Sequence, residues 1–379
     1  MIKSLQKIIL LFIVSSSLIY AQELKELTIN VSAKNMLADS NVFISGNNPL
    51  MGNWDPSLVK LKKTSDNFWF GKFKLPAGFT VEFKFTRGSW ENERIVNGNV
   101  PGNIIIKLQS DTTLNFVVDQ WRDQVEIPTI GQVTGKVEYI KGLSFDGIKS
   151  RDVIVWLPPG YEINTAERYP VLYMHDGQNV FDPSTSFNGH DWGVDEVADS
   201  LIKDDKIENI IVVGIYNTDD RSDDYSPGAK GYAYEKFIVK KLKPLIDKKY
   251  RTKPGRENTA VAGSSMGGLI SFMLAWEYPG VFSKAACISP AFHIGEYNYV
   301  KTVNDYRGEK KQIKIYIDNG GVGLEERLQP GVDEMLALLK RKGYVEREDL
   351  EYFKDSTAEH NEQGWAKRVW RPLEFLFGK

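Results

Sequence analysis

The residues best suited to chemistry lie in Val261-Ala262-Gly263-Ser264-Ser265-Met266-Gly267-Gly268-Leu269, where Gly263, Ser265 and Gly267 spell a G-x-S-x-G pattern. Small and apolar residues lead into it and the apolar run Leu269 to Ala275 follows. That order predicts a strand, a sharp turn and a helix. The turn forces Ser265 into strained backbone geometry, so the residues two before and two after must be small, and glycine is the steric answer. The start of the following helix presents free N–H groups to negative charge, which suits the oxyanion of an ester under attack. A glycine turn that only packs a helix onto a sheet has the same spelling, but the flanking strand and helix favour a serine nucleophile.

Around this stretch, apolar runs and helical patterns alternate. Lys136 to Ile140 and Arg151 to Leu157 read as an antiparallel opening pair, and Tyr169 to Met174 as the next buried strand. Further strands are predicted at 210–216, 258–262, 284–289, 312–317 and about 350–354, with helices at 192–203, 233–249 and about 331–342. Such regular alternation predicts an α/β domain, a mostly parallel sheet with helices on both faces. The lone Cys287, in Ala285-Ala286-Cys287-Ile288, reads as a core residue.

With an elbow of this kind the triad runs in the chain order serine, acid, histidine. His175 and His190 precede Ser265, and His293 follows too closely to leave room for an acid. His360, in Ala358-Glu359-His360-Asn361-Glu362, is therefore the candidate base. The acid must follow the strand Ile313 to Ile317, which leaves Asp318 at the strand end and Glu325 beyond the Gly320-Gly321-Val322-Gly323 turn. Asp318 could instead cap that turn, and Glu325 could be an acidic residue in the first turn of a helix. The oxyanion donors would be the N–H of Met266 and that of Gln178, aimed by the tight turn at Gly177. The acidic loop Asp219 to Tyr225 is expected to border the cleft or to be simply solvated.

These residues together resemble the secreted "putative esterase" family of α/β hydrolases, which includes enterochelin esterases, feruloyl and acetyl esterases, and mycolyltransferases. The resemblance rests on Val155-Trp156-Leu157-Pro158-Pro159-Gly160-Tyr161, Tyr169-Pro170-Val171-Leu172-Tyr173 and His175-Asp176-Gly177-Gln178-Asn179. The elbow itself and the ending His360-Asn361-Glu362 with Trp365 and Arg368 complete it, over residues 135–379. It implies an α/β-hydrolase fold with nucleophile Ser265, base His360 and oxyanion donors Gln178 and Met266. The position of that family's acid points to Glu325, with Asp318 the alternative.

From Leu27 to about Trp121, short alternating segments separated by turns predict a small all-β sandwich. Turns are expected at Asn47-Asn48-Pro49, Pro76-Ala77-Gly78 and Asn97-Gly98-Asn99. Trp69, between Phe68 and Phe70, could face in or out. Trp54 and Trp90 are set in polar, turn-rich sequence, which suits rings that stack on sugars. The module resembles the glucoamylase-type starch-binding domain through Gly46-Asn47, Leu50 to Asp55, Phe68-Trp69, Pro76-Ala77-Gly78, Glu82 to Phe85 and Trp90-Glu91. That resemblance implies a sugar-binding pair in Trp54 and Trp90, helped by Lys84. The stretch Asn92-Glu93-Arg94 departs from the family's usual asparagine-arginine ending.

Residues 1–21 carry Lys3 and Lys7, an apolar core from Ile8 to Val14 and small residues to Ala21, the pattern of a secretory signal cut before Gln22. The expected organisation is signal 1–21, β-sandwich 22–121, linker 122–134 and hydrolase 135–379. Loss of Lys3 and Lys7 takes the formal charge from −2 to −4, and nothing there suggests nucleic acid, which would call for a basic face. No later stretch is long and apolar enough to span a bilayer. The four histidines lie far apart and no HExxH or paired CxxC occurs, so neither a metal nor a cofactor is expected.

The expected activity is that of an exported serine carboxylic ester hydrolase, with a polysaccharide-linked ester as substrate. Three alternatives stand beside it: a siderophore esterase, a carbohydrate-binding protein with an inactive hydrolase domain, and acyl transfer to a sugar hydroxyl.

Overall fold

The computed structural model describes residues 23–34, 36, 40–96, 101, 103–124, 131–187, 189–294 and 297–379. The expected signal, the Asn97-Gly98-Asn99 turn and residues 125–130 of the expected linker lie outside the described residues. The chain divides into two compact units, Met1–Ile127 and Pro128–Lys379. Among the described residues no helix is long and apolar enough to cross a membrane.

The first unit pairs two four-stranded sheets. One runs Lys62–Ser65, Phe68–Pro76, Leu24–Ala33, Thr112–Val118, and the other Val59–Lys60, Phe43–Gly46, Phe79–Thr86, Ile104–Leu108. Alternation decides which side chains enter the core: along Leu24–Ala33, Leu27, Ile29, Val31 and Ala33 are all buried. Trp69 lies opposite Val31 and is buried, while its neighbour Phe68 is exposed. Phe83, Phe85 and Phe116 meet edge to face in the centre.

The second unit is built on eight strands: β1 (Lys136–Phe145), β2 (Ile148–Leu157), β3 (Val171–His175), β4 (Ile211–Ile215), β5 (Thr259–Ser264), β6 (Lys284–Ile288), β7 (Lys314–Asn319) and β8 (Leu350–Lys354). They lie in the order β1-β2-β4-β3-β5-β6-β7-β8. β2 is antiparallel to β1 and β4, and every pairing from β4 to β8 is parallel. Both faces are covered, so β3 to β6 read as continuous apolar runs rather than alternating ones. Val155, Tyr173, Val213, Val261 and Cys287 fill one layer, while Trp156, Leu172, Val212, Ala262 and Ala286 fill the other.

Two helices begin earlier than their sequence predicts. The helix expected at about 331–342 runs Leu324–Arg341, with Pro330 inside it. Pro330-Gly331 reads as a breaker, yet the helix is launched upstream by Gly323, at φ 66°, with Glu325 and Glu326 favourably placed in the first turn. Gly331 is glycine because a β-carbon there would come within 2.8 Å of the His293 backbone nitrogen. The segment expected from 233 begins at Ala229 and passes through one π turn, Ile238–Leu242.

Candidate active site

Ser265 sits between the end of β5 and the helix Met266–Glu277 with φ 58° and ψ −122°, a conformation that strains any side chain bearing a β-carbon. The turn closes tightly: a β-carbon on Gly263 would lie 2.7 Å from the Gly267 carbonyl. The Ser265 N–H donates to the Ile288 carbonyl at 2.9 Å, and its own carbonyl accepts from Ala291 at 3.1 Å. The strained residue is thus anchored on β6 and the loop beyond it. The Met266 N–H opens the helix Met266–Glu277, and the first N–H groups of a helix have no intrahelical acceptor.

Gln178 is brought up by a loop that presses on β4. A β-carbon at Gly177 would stand 2.3 Å from the Gly214 carbonyl carbon, which is why only glycine fits. Asp176, at φ 59°, is held by two Arg221 bonds, Nε to Oδ1 and Nη2 to Oδ2, each 2.7 Å. Asn217 Nδ2 adds a third at 2.6 Å, and the Asn217 backbone N–H donates to Gln178 Oε1 at 3.1 Å. The acidic loop is therefore more than a solvated one. Its arginine clamps the loop that carries Gln178, while Asp224 makes a buried pair with Arg151 at 2.8 Å and Asp219, Asp220 and Asp223 pair with Lys149 or Lys230.

His360 follows β8 and lies mostly buried, its ring 5.0 Å from Trp365 in an edge-to-face contact. Its Nδ1 is 3.4 Å from Glu325 Oε1, an ion-pair distance rather than a short hydrogen bond. Glu325 is fully buried. Burial pushes its carboxyl up, but the His360 ring and the Ser289 hydroxyl outweigh that and hold it down at about 2. Asp318 faces another way. Its Oδ2 lies 3.1 Å from Arg368 Nε and accepts from the Tyr316 hydroxyl at 3.2 Å. Burial pushes its carboxyl up to about 6 against the pull of Arg368.

Ser289, at φ 43° just past β6, joins these groups. Its hydroxyl donates to Glu325 Oε1 at 2.6 Å and accepts from Arg368 Nη2 at 2.5 Å and Trp365 Nε1 at 3.2 Å. Neither Ser289 nor the Arg221–Asp176 clamp stands out in the sequence. The available signals were weak: a serine after β6 mirroring the one after β5, and a single arginine in an acidic loop.

The remaining histidines are engaged elsewhere. His175 is buried with Nδ1 2.8 Å from the Tyr234 hydroxyl, and burial lowers its ring to about 3, so it stays neutral. His190 is exposed, and His293 meets Glu334 at 2.8 Å.

In the sandwich unit Trp54 and Trp90 are each half-buried, standing on short loops rather than on strands. Trp54 follows the 3-10 turn Pro49–Met51 at φ 68°, with its N–H on the Gly46 carbonyl, and Trp90 opens the 3-10 turn Trp90–Asn92. The buried Thr86 hydroxyl links the two loops, donating to the Pro56 carbonyl at 2.6 Å and accepting from the Gly88 N–H at 3.2 Å. Lys84 points into the unit, its ammonium 3.0 Å from the buried Glu93 carboxylate.

Comparison with known proteins completes the picture. The family model described as "Putative esterase" matches residues 148–374. The chain belongs to that family. A second model, described as "Starch binding domain", matches residues 25–116. An endo-1,4-beta-xylanase/feruloyl esterase of Xylanibacter ruminicola is 30% identical over 241 residues, covering 59% of this chain and 31% of that protein. Among solved structures, a ferulic acid esterase superposes with a TM-score of 0.53 at 21% identity, covering 65% of this chain and 98% of its own. The enterobactin esterase of Shigella flexneri does so with a TM-score of 0.53 at 14% identity, covering 89% of this chain and 87% of its own. The fold is the α/β-hydrolase fold preceded by a starch-binding-type sandwich, and ester hydrolysis is the activity the family supports.

Proposed function

We propose that the chain is an exported serine esterase that acts on acylated carbohydrate. The observation that carries the mechanism is the strained Ser265 at a helix start, in a fold whose His360 ring faces the buried Glu325 carboxylate and not Asp318. Ser265 Oγ attacks the ester carbonyl as His360 takes its proton, and Glu325 fixes the imidazole tautomer and stabilises the imidazolium. The N–H groups of Met266 and Gln178 hold the oxyanion, and loss of one such donor typically costs about 3–4 kcal/mol. His360 then returns the proton to the leaving alcohol, and water cleaves the acyl-enzyme by the same steps in reverse.

The carbohydrate half of this reading is supported by the starch-binding model over residues 25–116 and by the Xylanibacter relative's name. The half-buried Trp54 and Trp90 are the stacking candidates; Lys84, already engaged by Glu93, would help by fixing the loop at Glu93 rather than by reaching a sugar. Export is supported by the signal pattern at residues 1–21.

Labelling with a fluorophosphonate followed by peptide mass spectrometry should place the adduct on Ser265. A panel of acetyl, feruloyl and siderophore trilactone esters should then favour a sugar-linked ester. Labelling elsewhere overturns the mechanism, and preference for the trilactone overturns the substrate class while leaving the mechanism intact.

A further inference from the structure

A second group of carboxylates lies outside the proposed catalytic residues, at the start of the helix Val194–Lys203. Asp191, Asp195 and Glu196 each bring one ligand oxygen within 4.8 Å of the others. Acidic residues crowd together on many proteins without binding anything, so proximity alone decides little. Burial decides more. Asp195 is fully buried, and its Oδ2 accepts from the Thr134 N–H at 2.6 Å. Its Oδ1 is sealed from solvent with no donor to accept from, and the same holds for Oε2 of Glu196, the carboxylate it lies against. The donors on the other Glu196 oxygen, Oε1, are neutral: the Thr134 hydroxyl at 3.2 Å and Gln132 Nε2 at 3.5 Å. Unpartnered carboxylate oxygens buried side by side are expensive, and they call for a positive charge between them.

We propose that Asp191, Asp195 and Glu196 form a calcium site. Calcium takes oxygen ligands at about 2.3–2.6 Å, so ligands on opposite sides of one ion stand roughly 4.6–5.2 Å apart. These oxygens all lie within 4.8 Å of one another, close enough to reach one such ion. Magnesium is usually held through one or two carboxylates and keeps several of its waters, so a group of three carboxylates suits calcium better. An all-oxygen ligand set does not suit zinc or copper. Three carboxylates leave the remaining coordination positions to water.

The placement indicates a structural role. Asp191 Oδ2 accepts from the Gly193 N–H at 3.1 Å, closing a turn around Trp192. Trp192 is buried and packs 5.4 Å from Trp365, whose ring in turn meets His360. A calcium ion would pin the turn that supports this aromatic pair, and no step of ester hydrolysis passes through it.

The test uses the full chain after dialysis against EDTA, with thermal melts and titration calorimetry in CaCl2 and with MgCl2 at matched ionic strength as control. The expected result is saturable calcium binding, a melting temperature several degrees higher at saturation, and much weaker binding of magnesium. Asp195→Asn should weaken calcium binding by at least about tenfold, as expected from loss of a charged ligand. Asp191→Asn, at a half-buried position, should do the same without endangering the fold. Terbium bound at the site should luminesce on tryptophan excitation, because Trp192 adjoins Asp191. No heat and no melting shift up to about ten millimolar calcium, above the weak range of extracellular calcium modules, would overturn the proposal and leave a shared proton between the carboxylates.

Discussion

In the hydrolase unit the proposed catalytic side chains are locked by buried charge. Glu325 is gripped by Ser289 and faced by His360, Arg368 lies between Glu325 and Asp318, and Arg221 forks onto Asp176. In the sandwich unit Trp54 and Trp90 stand on short loops tied by neutral bonds through Thr86. The difference matches the two tasks. A triad must hold its geometry to a fraction of an ångström against developing charge, which a preorganised polar network does well. A stacking surface has to offer ring area and can tolerate adjustment. Changes in the hydrolase unit should therefore cost rate, and changes in the sandwich unit should cost attachment.

The sharpest break is expected at the nucleophile. Ser265→Ala or His360→Ala should lower ester turnover by on the order of 10⁴-fold or more, with the fold intact. The double mutant should be little worse than either single, because the two residues act as one unit. Turnover near wild type in purified Ser265→Ala would sink the assignment.

The next effect separates two carboxylates seven residues apart. Glu325→Gln removes the charge facing His360 and should cost several kcal/mol of transition-state stabilisation, roughly 10²–10⁴-fold in kcat. Asp318→Asn should cost far less rate and show instead as lost stability, since Asp318 pairs with Arg368. Steady-state kinetics beside a denaturant titration measure both. The opposite pattern reverses the two roles.

That distinction marks the limit of what was legible in the sequence. Ser265 and His360 could be read because the elbow has a steric signature and the order of the triad prunes the histidines. Asp318 and Glu325 both follow β7, and which one meets the imidazole depends on side-chain direction and on where the next helix starts. The Pro330-Gly331 pair concealed that start. Arg221 and Asp176 are 45 residues apart, and nothing local in either announces the clamp. The group at Asp191, Asp195 and Glu196 carries no such signature, because clusters of oxygen ligands lack the spacing rules that reveal histidine and cysteine ligands. The sandwich was readable from alternation, which also placed Trp69 inside once its strand was paired with Val31.

A smaller effect concerns acid. Glu325 has a carboxyl held at about 2 in the fold against an ordinary value of 4.5. The unfolded chain binds this proton more readily, so the stabilisation is complete above about pH 4.5 and is lost as pH falls toward about 2. Asp318, raised from 3.8 to about 6, has the opposite sign: between those values the fold holds the extra proton, and stability from this group declines as pH rises. Urea titrations across this range should show Glu325→Gln with a flatter loss below pH 4.5 and Asp318→Asn with a flatter decline toward pH 6.

The smallest expected effect on chemistry comes from the tryptophans, and it is the one that tests the comparison itself. Replacing Trp54 and Trp90 with alanine should leave turnover of a small soluble ester unchanged, because neither ring belongs to the hydrolase unit. Binding to insoluble α-glucan should be lost, since each stacked ring carries much of the apolar contact with a sugar face. On an acylated polymer the double mutant should be slower, because tethering raises the local substrate concentration to the millimolar range for short flexible linkers. Both rings are only half-buried, so the melt should fall by less than full burial implies, where alanine costs about 3–5 kcal/mol per site. A pull-down on starch and other polysaccharides, run beside a thermal melt, separates the outcomes. If the wild type binds no glycan and the double mutant unfolds, the rings are structural and the division of labour between charge-locked and loop-borne sites fails. If binding disappears while the melt and the small-ester rate hold, attachment and chemistry are separable, as the two kinds of anchoring require.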